Sequence, residues 1–495
     1  MNPLFLTDGY KTGHHQQYPK GTTLVYSNFT PRSNKYAPKG CDQLVSFGQQ
    51  MVIKQIHEAF DKDFFSKPKD EVCGEMKREL SMYLNTDYDV SHFEALHDLG
   101  YLPIVVKTIE EGSLVPMKVP VLTIYNTHPD FYWITNYLET IISNLLWKPM
   151  TSATIAHTYR KALTSWQEKT DAERAWFIDW QGHDFSMRGL DSIDATISSG
   201  LGHLTSFSGS DSLPAIFGAR KFYNEEGFVA GSVNATEHSV MCAGSKEDEV
   251  GTFRNLMETY PTGILSIVSD TWDLWKVCTE HIVTLKEEIL DRDGKVVIRP
   301  DSGDPVDIIC GKMFSDSSDN PNGFVIDKSV SKNEQKGVIE LLWDVFGGTI
   351  NEQGYKVLDS HIGAIYGDSI TIDRANEICA RLEAKGFAST NIVLGVGSFT
   401  YQFNTRDTFG FAMKATYVEV EGNGREIFKD PITDDGVKKS AKGLLSVYSS
   451  DGELILLDQC SWEDETKGEL QTIYHNGEFF NQTTLTQIRE RLRNS

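Results

Sequence analysis

Arginine, aspartate and glycine gather at the ends of short apolar runs in this chain, in patterns suited to holding a phosphorylated sugar. In the segment from Val297 to Pro305, VIRPDSGDP, a β-rich run delivers Arg299 and Asp301 into a turn that also carries Ser302 and Gly303. An arginine offers a planar, permanently charged fork to phosphate oxygens, and an aspartate accepts from sugar hydroxyls or holds Mg²⁺ through water. A plain βα turn with a surface ion pair would use the same residue types. Gly395 to Ser398 follow Ile392 to Leu394 and can set bare N–H groups against a phosphate. Thr400 stands where the third glycine of G-x-G-x-x-G would be, and no Walker sequence occurs. Gly367 and Asp368 close the run that starts at Ile362 and offer a carboxylate for a sugar diol, or a helix cap. Asp270 follows Ile267 to Ser269 and either orients a basic group or ligand, or caps a helix beginning near Thr271. His238 lies in SVNATEHSV without HExxH spacing, and no cluster of metal-ligand type is present.

Side chains of this kind need rigid carriers. The apolar runs Trp176 to Ile178, Ile264 to Val268, Val296 to Ile298, Ile362 to Ile365 and Ile392 to Leu394 predict buried parallel strands. Helical patterns at Glu334 to Phe346 and Ile372 to Lys385 lie between them, so residues 151–400 read as an α/β barrel or wound sheet, with ligands at the carboxyl ends of its strands. Residues 1–150 and 401–495 mix helices with short strands (Thr23 to Tyr26, Ile104 to Lys107) and alternating segments such as AMKATYVEV and GELILLD. A second α+β domain built from both chain ends is expected, closed by a docking helix with Leu485, Ile488 and Leu492 on one face. Ser315 to Gly323, SDSSDNPNG, reads as a surface insertion.

The 495 residues are 40% hydrophobic and 24% charged, which is the composition of a folded globular protein. The formal net charge of −23 argues against nucleic acid as a partner, but a few cations converging in one cleft can still bind a small polyanion. The seven cysteines are scattered and form no C-x-x-C pair, so neither a disulfide framework nor a zinc site is expected, and a cytoplasmic location is. No basic region followed by a long apolar one opens the chain, and no membrane segment is expected.

Read in order, TDGYK at 7–11, HDFSMRG at 183–189, GSD at 209–211, TEHS at 236–239, SD at 269–270, IRPDSGDP at 298–305, YGD at 366–368, TRD at 405–407 and FKDP at 428–431 resemble the nicotinamide phosphoribosyltransferase family, of the type II phosphoribosyltransferases. The resemblance implies an irregular α/β barrel with a second α+β domain, and a cytoplasmic homodimer with two active sites shared between copies. The reaction it implies moves the 5-phosphoribosyl group of phosphoribosyl pyrophosphate to nicotinamide with Mg²⁺, giving nicotinamide mononucleotide and pyrophosphate for NAD salvage. ATP is then a coupled co-substrate through a phosphohistidine at His238, with Glu237 and Asp270 beside it.

The same resemblance assigns the remaining roles. Phe185, and Tyr10 of the other copy, would sandwich the pyridine ring, with Arg188 in the same pocket, and Ser232 is counted among the substrate-binding residues. Asp211 would accept from the carboxamide and repel the carboxylate of nicotinate. Arg299 and, across the interface, Arg406 would bind the 5-phosphate with Gly397 and Ser398, while Asp301, Gly367 and Asp368 address the ribose. Arg32, Lys414 and Lys429 of the other copy would gather the pyrophosphate. No protein ligand set for the metal is expected, Mg²⁺ being held mainly by pyrophosphate and water. Nicotinate phosphoribosyltransferase and a catalytically silent nucleotide binder stand as the alternatives.

Overall fold

The structure, a computed structural model, describes residues 1–315, 323–367, 369–429 and 440–495. Asp368 and most of the Ser315 to Gly323 insertion lie outside the described residues. The chain forms two compact units: Met1–Thr154 with Phe217–Phe228 and Asn404–Ser495, and Ile155–Ile216 with Val229–Phe403.

The second unit is built on seven parallel strands. Their order is Gly209–Ser210, Gly182–Asp184, Ile392–Val396, Ile362–Tyr366, Asp293–Arg299, Thr262–Val268 and Asn234–Ala235. The two outer strands do not stay open. Gly231, three residues before the last of them, forms a parallel bridge to Gly209 at the other edge, with Ser210 N–H donating to the Gly231 carbonyl at 3.1 Å. The sheet therefore closes on itself as an irregular barrel, which removes the exposed edge that an open sheet would present. Strand alternation explains the sequence of its most informative member. Val296 and Ile298 are fully buried away from the lumen, while Lys295, Val297 and Arg299 line the interior cavity.

Four of the five strands expected from apolar runs are present, each somewhat longer than its run. The fifth is displaced. Trp176 and Phe177 lie in the 3₁₀ turn Ala172–Phe177 and Ile178 opens the short helix Ile178–Gln181, whereas the strand is Gly182–Asp184. Only Trp176 of that run is exposed, at 65%, while Ile178 is buried, and the strand that follows carries glycine, histidine and aspartate that no hydropathy pattern would select. Helices Lys332–Phe346 and Ile372–Ala384 occupy the expected intervals, the first with a Ser331 and Glu334 capping box and the second capped by Thr371.

The first unit is an antiparallel sheet in the order Asn423–Glu426, Ala412–Val420, Thr22–Thr30, Leu122–Asn126, Ile104–Thr108, Gln471–His475 and Glu478–Phe479, so both ends of the chain contribute. Val25, Val418 and Val420 pack together on one face. Leu485, Ile488 and Leu492 are buried along the terminal helix Leu485–Arg493, which Thr484 and Gln487 cap. The excursion Phe217–Phe228 belongs to this unit because Tyr223 donates its hydroxyl to the buried Glu111 at 2.8 Å and Gln50 donates to the Phe222 carbonyl at 2.7 Å. All seven cysteines are free thiols, and among the described residues no helix is long and apolar enough to cross a membrane.

Candidate active site

Six turns at the carboxyl ends of the barrel strands carry the polar residues singled out in the sequence. Register sets them level: Arg299 pairs with Val268, Tyr366 with Leu394, Val396 with Asp184, and Asp184 with Ser210. Arg299 ends its strand, and Phe185, Asp211, Gly367 and Gly397 each follow theirs directly. Beneath them lies a largely apolar cavity of about 610 Å³ whose lining includes Trp180, Phe185, Asp211, Ser232, Val297 and Arg299.

Asp211 is the best-supported polar group in that cavity. His183 Nε2 lies 2.9 Å from its Oδ1, and the Ser232 hydroxyl donates to the same oxygen. Burial raises the Asp211 carboxyl, but those two hydrogen bonds and the charge of Arg299 outweigh it and hold the group below the ordinary range, so it is ionised. The Arg299 guanidinium lies over the Phe185 ring, 5.4 Å from its centroid, which leaves an aromatic wall and a fixed positive charge side by side. Arg299 Nε is buried without a hydrogen-bond partner among the described residues, a donor left for a ligand.

A second cluster adjoins Arg299 through the turn at 300–304. Asp270 accepts from Asp301 N–H at 2.9 Å and from the Ser302 hydroxyl at 2.5 Å, and its other oxygen is buried without a hydrogen bond. His238 Nε2 is 3.9 Å from both Asp270 and Asp301, while Nδ1 is 3.0 Å from the Thr271 hydroxyl. Asp270 is therefore not a helix cap. That duty falls to Asp273, which accepts from Lys276 N–H at the start of Leu274–Lys276. Tyr366 donates to the Gly303 carbonyl at 2.9 Å and braces the turn; burial first, then Asp301, Asp270 and Asp304, push its phenol well up and keep it protonated. Gly367 fits by having no side chain. A Cβ there would meet Arg299 Nε at 2.9 Å and strike the Asp301 carboxylate.

The predicted residues outside these clusters fall into three groups. Gly397 and Ser398 stand at the start of the short helix Ser398–Gln402. Arg188 is exposed in the turn Met187–Gly189 and does not line the cavity. Tyr10, Arg32, Arg406, Lys414 and Lys429 all belong to the first unit, where they line a polar cleft of about 680 Å³. There Arg32 Nε donates to the Gly410 carbonyl at 2.8 Å, and Lys11 is neutralised by Glu139 at 2.7 Å. Lys414 and Lys429 have no carboxylate within ion-pair distance among the described residues. Desolvation lowers the Lys414 ammonium, and Arg32, Lys11 and Lys429 add to the effect against Glu139. Arg406 is paired with Asp407 at 3.5 Å, so the two lysines are the cations of this cleft whose charge suits an added polyanion. Tyr10 stands at this cleft with two-thirds of its surface exposed, its ring met by the Lys11 ammonium at 5.6 Å from the centroid and edge-on by His14.

Sequence reasoning did not assign roles to His183, Thr271 or Tyr366. His183 and Tyr366 sit inside recognised segments, but their importance is a matter of which atom they reach across the barrel. Among the described residues no group of three or more His, Cys, Asp or Glu is arranged to hold a metal ion. The hard oxygens of Asp270 and Asp301 suit Mg²⁺ held chiefly by phosphates and water, as that ion prefers.

Residues 180–491 match the nicotinate phosphoribosyltransferase (NAPRTase) family, and residues 2–80 match the N-terminal domain of nicotinamide phosphoribosyltransferase. The chain is 50% identical over 504 residues to the nicotinamide phosphoribosyltransferase of Acinetobacter baylyi, covering 99% of this chain and 97% of that protein. It is 34% identical over 469 residues to the Mycoplasma pneumoniae protein of the same name, covering 90% and 97%. Among solved structures, human nicotinic acid phosphoribosyltransferase aligns with a TM-score of 0.55 at 15% identity, over 99% of this chain and 93% of that one. Nicotinate-nucleotide pyrophosphorylase from Pyrococcus furiosus aligns at 0.54 and 15%, over 100% and 95%. At that identity the structures speak to the fold.

Proposed function

The chain belongs to the nicotinate phosphoribosyltransferase (NAPRTase) family and carries the N-terminal domain of nicotinamide phosphoribosyltransferase, and from that premise we infer that its reaction joins nicotinamide to the 5-phosphoribosyl group of phosphoribosyl pyrophosphate. The products are nicotinamide mononucleotide and pyrophosphate. The observation that carries the choice of nicotinamide over nicotinate is Asp211, an ionised carboxylate with one oxygen already occupied by two donors. Its second oxygen suits the NH₂ of a carboxamide and repels a carboxylate, so selection works through attraction and penalty together.

The cavity wall formed by Phe185 stacks one face of the pyridine ring and aims its neutral nitrogen at the anomeric carbon. Arg299 and the Gly397 to Ser398 backbone take the 5-phosphate, and Asp301 and the bare Gly367 backbone face the ribose. Bond cleavage leaves positive charge on the sugar and negative charge on the departing pyrophosphate, so the chain contributes by positioning and by stabilising the leaving group. When bound, Mg²⁺ would neutralise pyrophosphate oxygens, with Asp270 and Asp301 available to its water shell.

The second half of the site is supplied by another copy of the chain. Tyr10 of that copy covers the free face of the ring, Arg406 joins the 5-phosphate, and Arg32, Lys414 and Lys429 collect the pyrophosphate. In support, each unit contains a cleft with half of the required chemistry: an aromatic, amide-selective cavity in one and a cationic cleft with an exposed tyrosine in the other. ATP use through phosphorylation of His238 belongs to the same proposal, supported by the two carboxylates and the threonine hydroxyl around that imidazole. A cytoplasmic enzyme of NAD salvage is the corresponding setting.

The deciding experiment offers nicotinamide and nicotinate side by side with phosphoribosyl pyrophosphate and Mg²⁺, with and without ATP. Mononucleotide forms selectively from nicotinamide, and ATP raises the yield and labels His238 from its γ-phosphate. Preference for nicotinate overturns the role of Asp211, and an unlabelled His238 overturns the ATP coupling.

A further inference from the structure

We propose that His183 is the positioning residue through which this site selects a carboxamide: its imidazole pins one oxygen of Asp211 and leaves the other for the substrate. Resting on the reading of Asp211 as the amide acceptor, the proposal adds a residue whose part lies in the aim of that acceptor.

The Nε2 to Oδ1 distance is 2.9 Å. An ionised carboxylate only accepts, so the proton of this bond is on Nε2 of the imidazole. Ser232 donates to the same Oδ1, and among the described residues no hydrogen bond reaches Oδ2. The imidazole is itself held on two sides. Its ring centroid lies 4.5 Å from that of Phe185, and His183 pairs in register with Gly209, where a Cβ would stand 2.7 Å from Nδ1. Glycine at 209 is what lets the ring lie flat against the strand and reach Asp211. The side chains facing Asp211 that bear on its titration are His183, Ser232 and Arg299, and its N–H is tied to the carbonyl of the buried Asp184 at 2.9 Å. Of the influences on the Asp211 carboxyl, burial pushes upward and the His183 bond is the first to oppose it.

His183→Phe keeps an aromatic ring and removes the donor, whereas His183→Gln restores an N–H at about the reach of Nε2. Steady-state kinetics with nicotinamide and nicotinate across the pH range in which carboxylates titrate would read the effect. In His183→Phe, kcat/KM for nicotinamide falls about tenfold or more while KM for phosphoribosyl pyrophosphate is unchanged. Without the opposing bond the Asp211 carboxyl rises, so the acid limb of the nicotinamide profile moves to higher pH and nicotinate use grows along that limb, where a protonated Asp211 can donate to it. His183→Gln returns both profiles toward those of the natural protein. If His183→Phe does not fold, Gly209→Ala gives the same readout by displacing the ring. An unchanged pH profile and substrate ratio in the folded variants overturns the proposal, whereas failure of the natural protein to use nicotinamide overturns the reading of Asp211 beneath it.

Discussion

At the cavity, the two residues with most to lose by substitution carry opposite charge. Asp211→Asn keeps the shape but replaces a forced acceptor with a group that can also donate, so nicotinate is no longer penalised. The ratio of kcat/KM for nicotinamide to that for nicotinate should fall by about tenfold or more, read from parallel progress curves. The pH dependence follows from the sign of the Asp211 shift. Its carboxyl is held below the ordinary range, so discrimination by the natural protein stays level through neutral pH and declines only as acid protonates that depressed group. Arg299 tests a different property. Arg299→Lys preserves charge but loses the fork and the buried Nε donor, and it sets a compact ammonium against Phe185. KM for phosphoribosyl pyrophosphate should rise about tenfold to a hundredfold, with thermal stability near that of the natural protein.

Strands and turns decide whether such residues meet. The four barrel strands that were legible, including Val296 to Ile298 and Ile392 to Leu394, announce themselves because their outward faces are buried and apolar, and the turns after them read as polar clusters. Gly182–Asp184 was not legible by that rule, since its alternation places a glycine and an aspartate around the histidine that faces the lumen. For the same reason the sequence offered His183 as part of a motif and gave no sign that its Nε2 reaches Asp211, a contact that exists only once the adjacent parallel strands are in register. The Phe217–Phe228 excursion into the first unit was equally invisible, because hydrogen bonds such as Tyr223 to Glu111 leave no periodic trace. Gly367→Ala probes the turn geometry directly. Its added methyl would push on both Arg299 and the Asp301 carboxylate, so affinity for phosphoribosyl pyrophosphate should drop with little change in melting temperature. Away from the site, Glu249 begins the helix Glu249–Thr259 beside His281, 3.3 Å from its Nδ1, and burial raises its carboxyl to about 7. An unfolded glutamate ionises nearer 4.5, so the folded state binds the proton more tightly and stability is lost as pH rises between those values. Glu249→Gln imitates the protonated form; calorimetry should find a gain in Tm at about pH 8 that vanishes by about pH 4.

Across the whole molecule, a chain of net charge −23 sets apart one cleft with Arg32, Arg406, Lys414 and Lys429, and that cleft belongs to a different unit from the cavity with Phe185, Asp211 and Arg299. Local concentration of cations is how an acidic protein can attract phosphorylated substrates while repelling nucleic acid. If each active site takes its cavity from one copy and its cationic cleft from another, damage to the two halves can be separated. A chain carrying Arg299→Ala and a chain carrying Arg406→Ala are each inactive alone, since every site in either homodimer has one broken half. Mixed in equal amounts under conditions that allow exchange, half of the dimers become heterodimers. In each of these, one site collects both defects and the other collects none. Activity should therefore return to about a quarter of that of the natural protein at the same total concentration. Were each site built from a single chain, every site in the mixture would keep one defect and no activity would return. Recovery that rises with exchange time, and stops when the dimers are cross-linked before mixing, would place the shared site in the assembled enzyme.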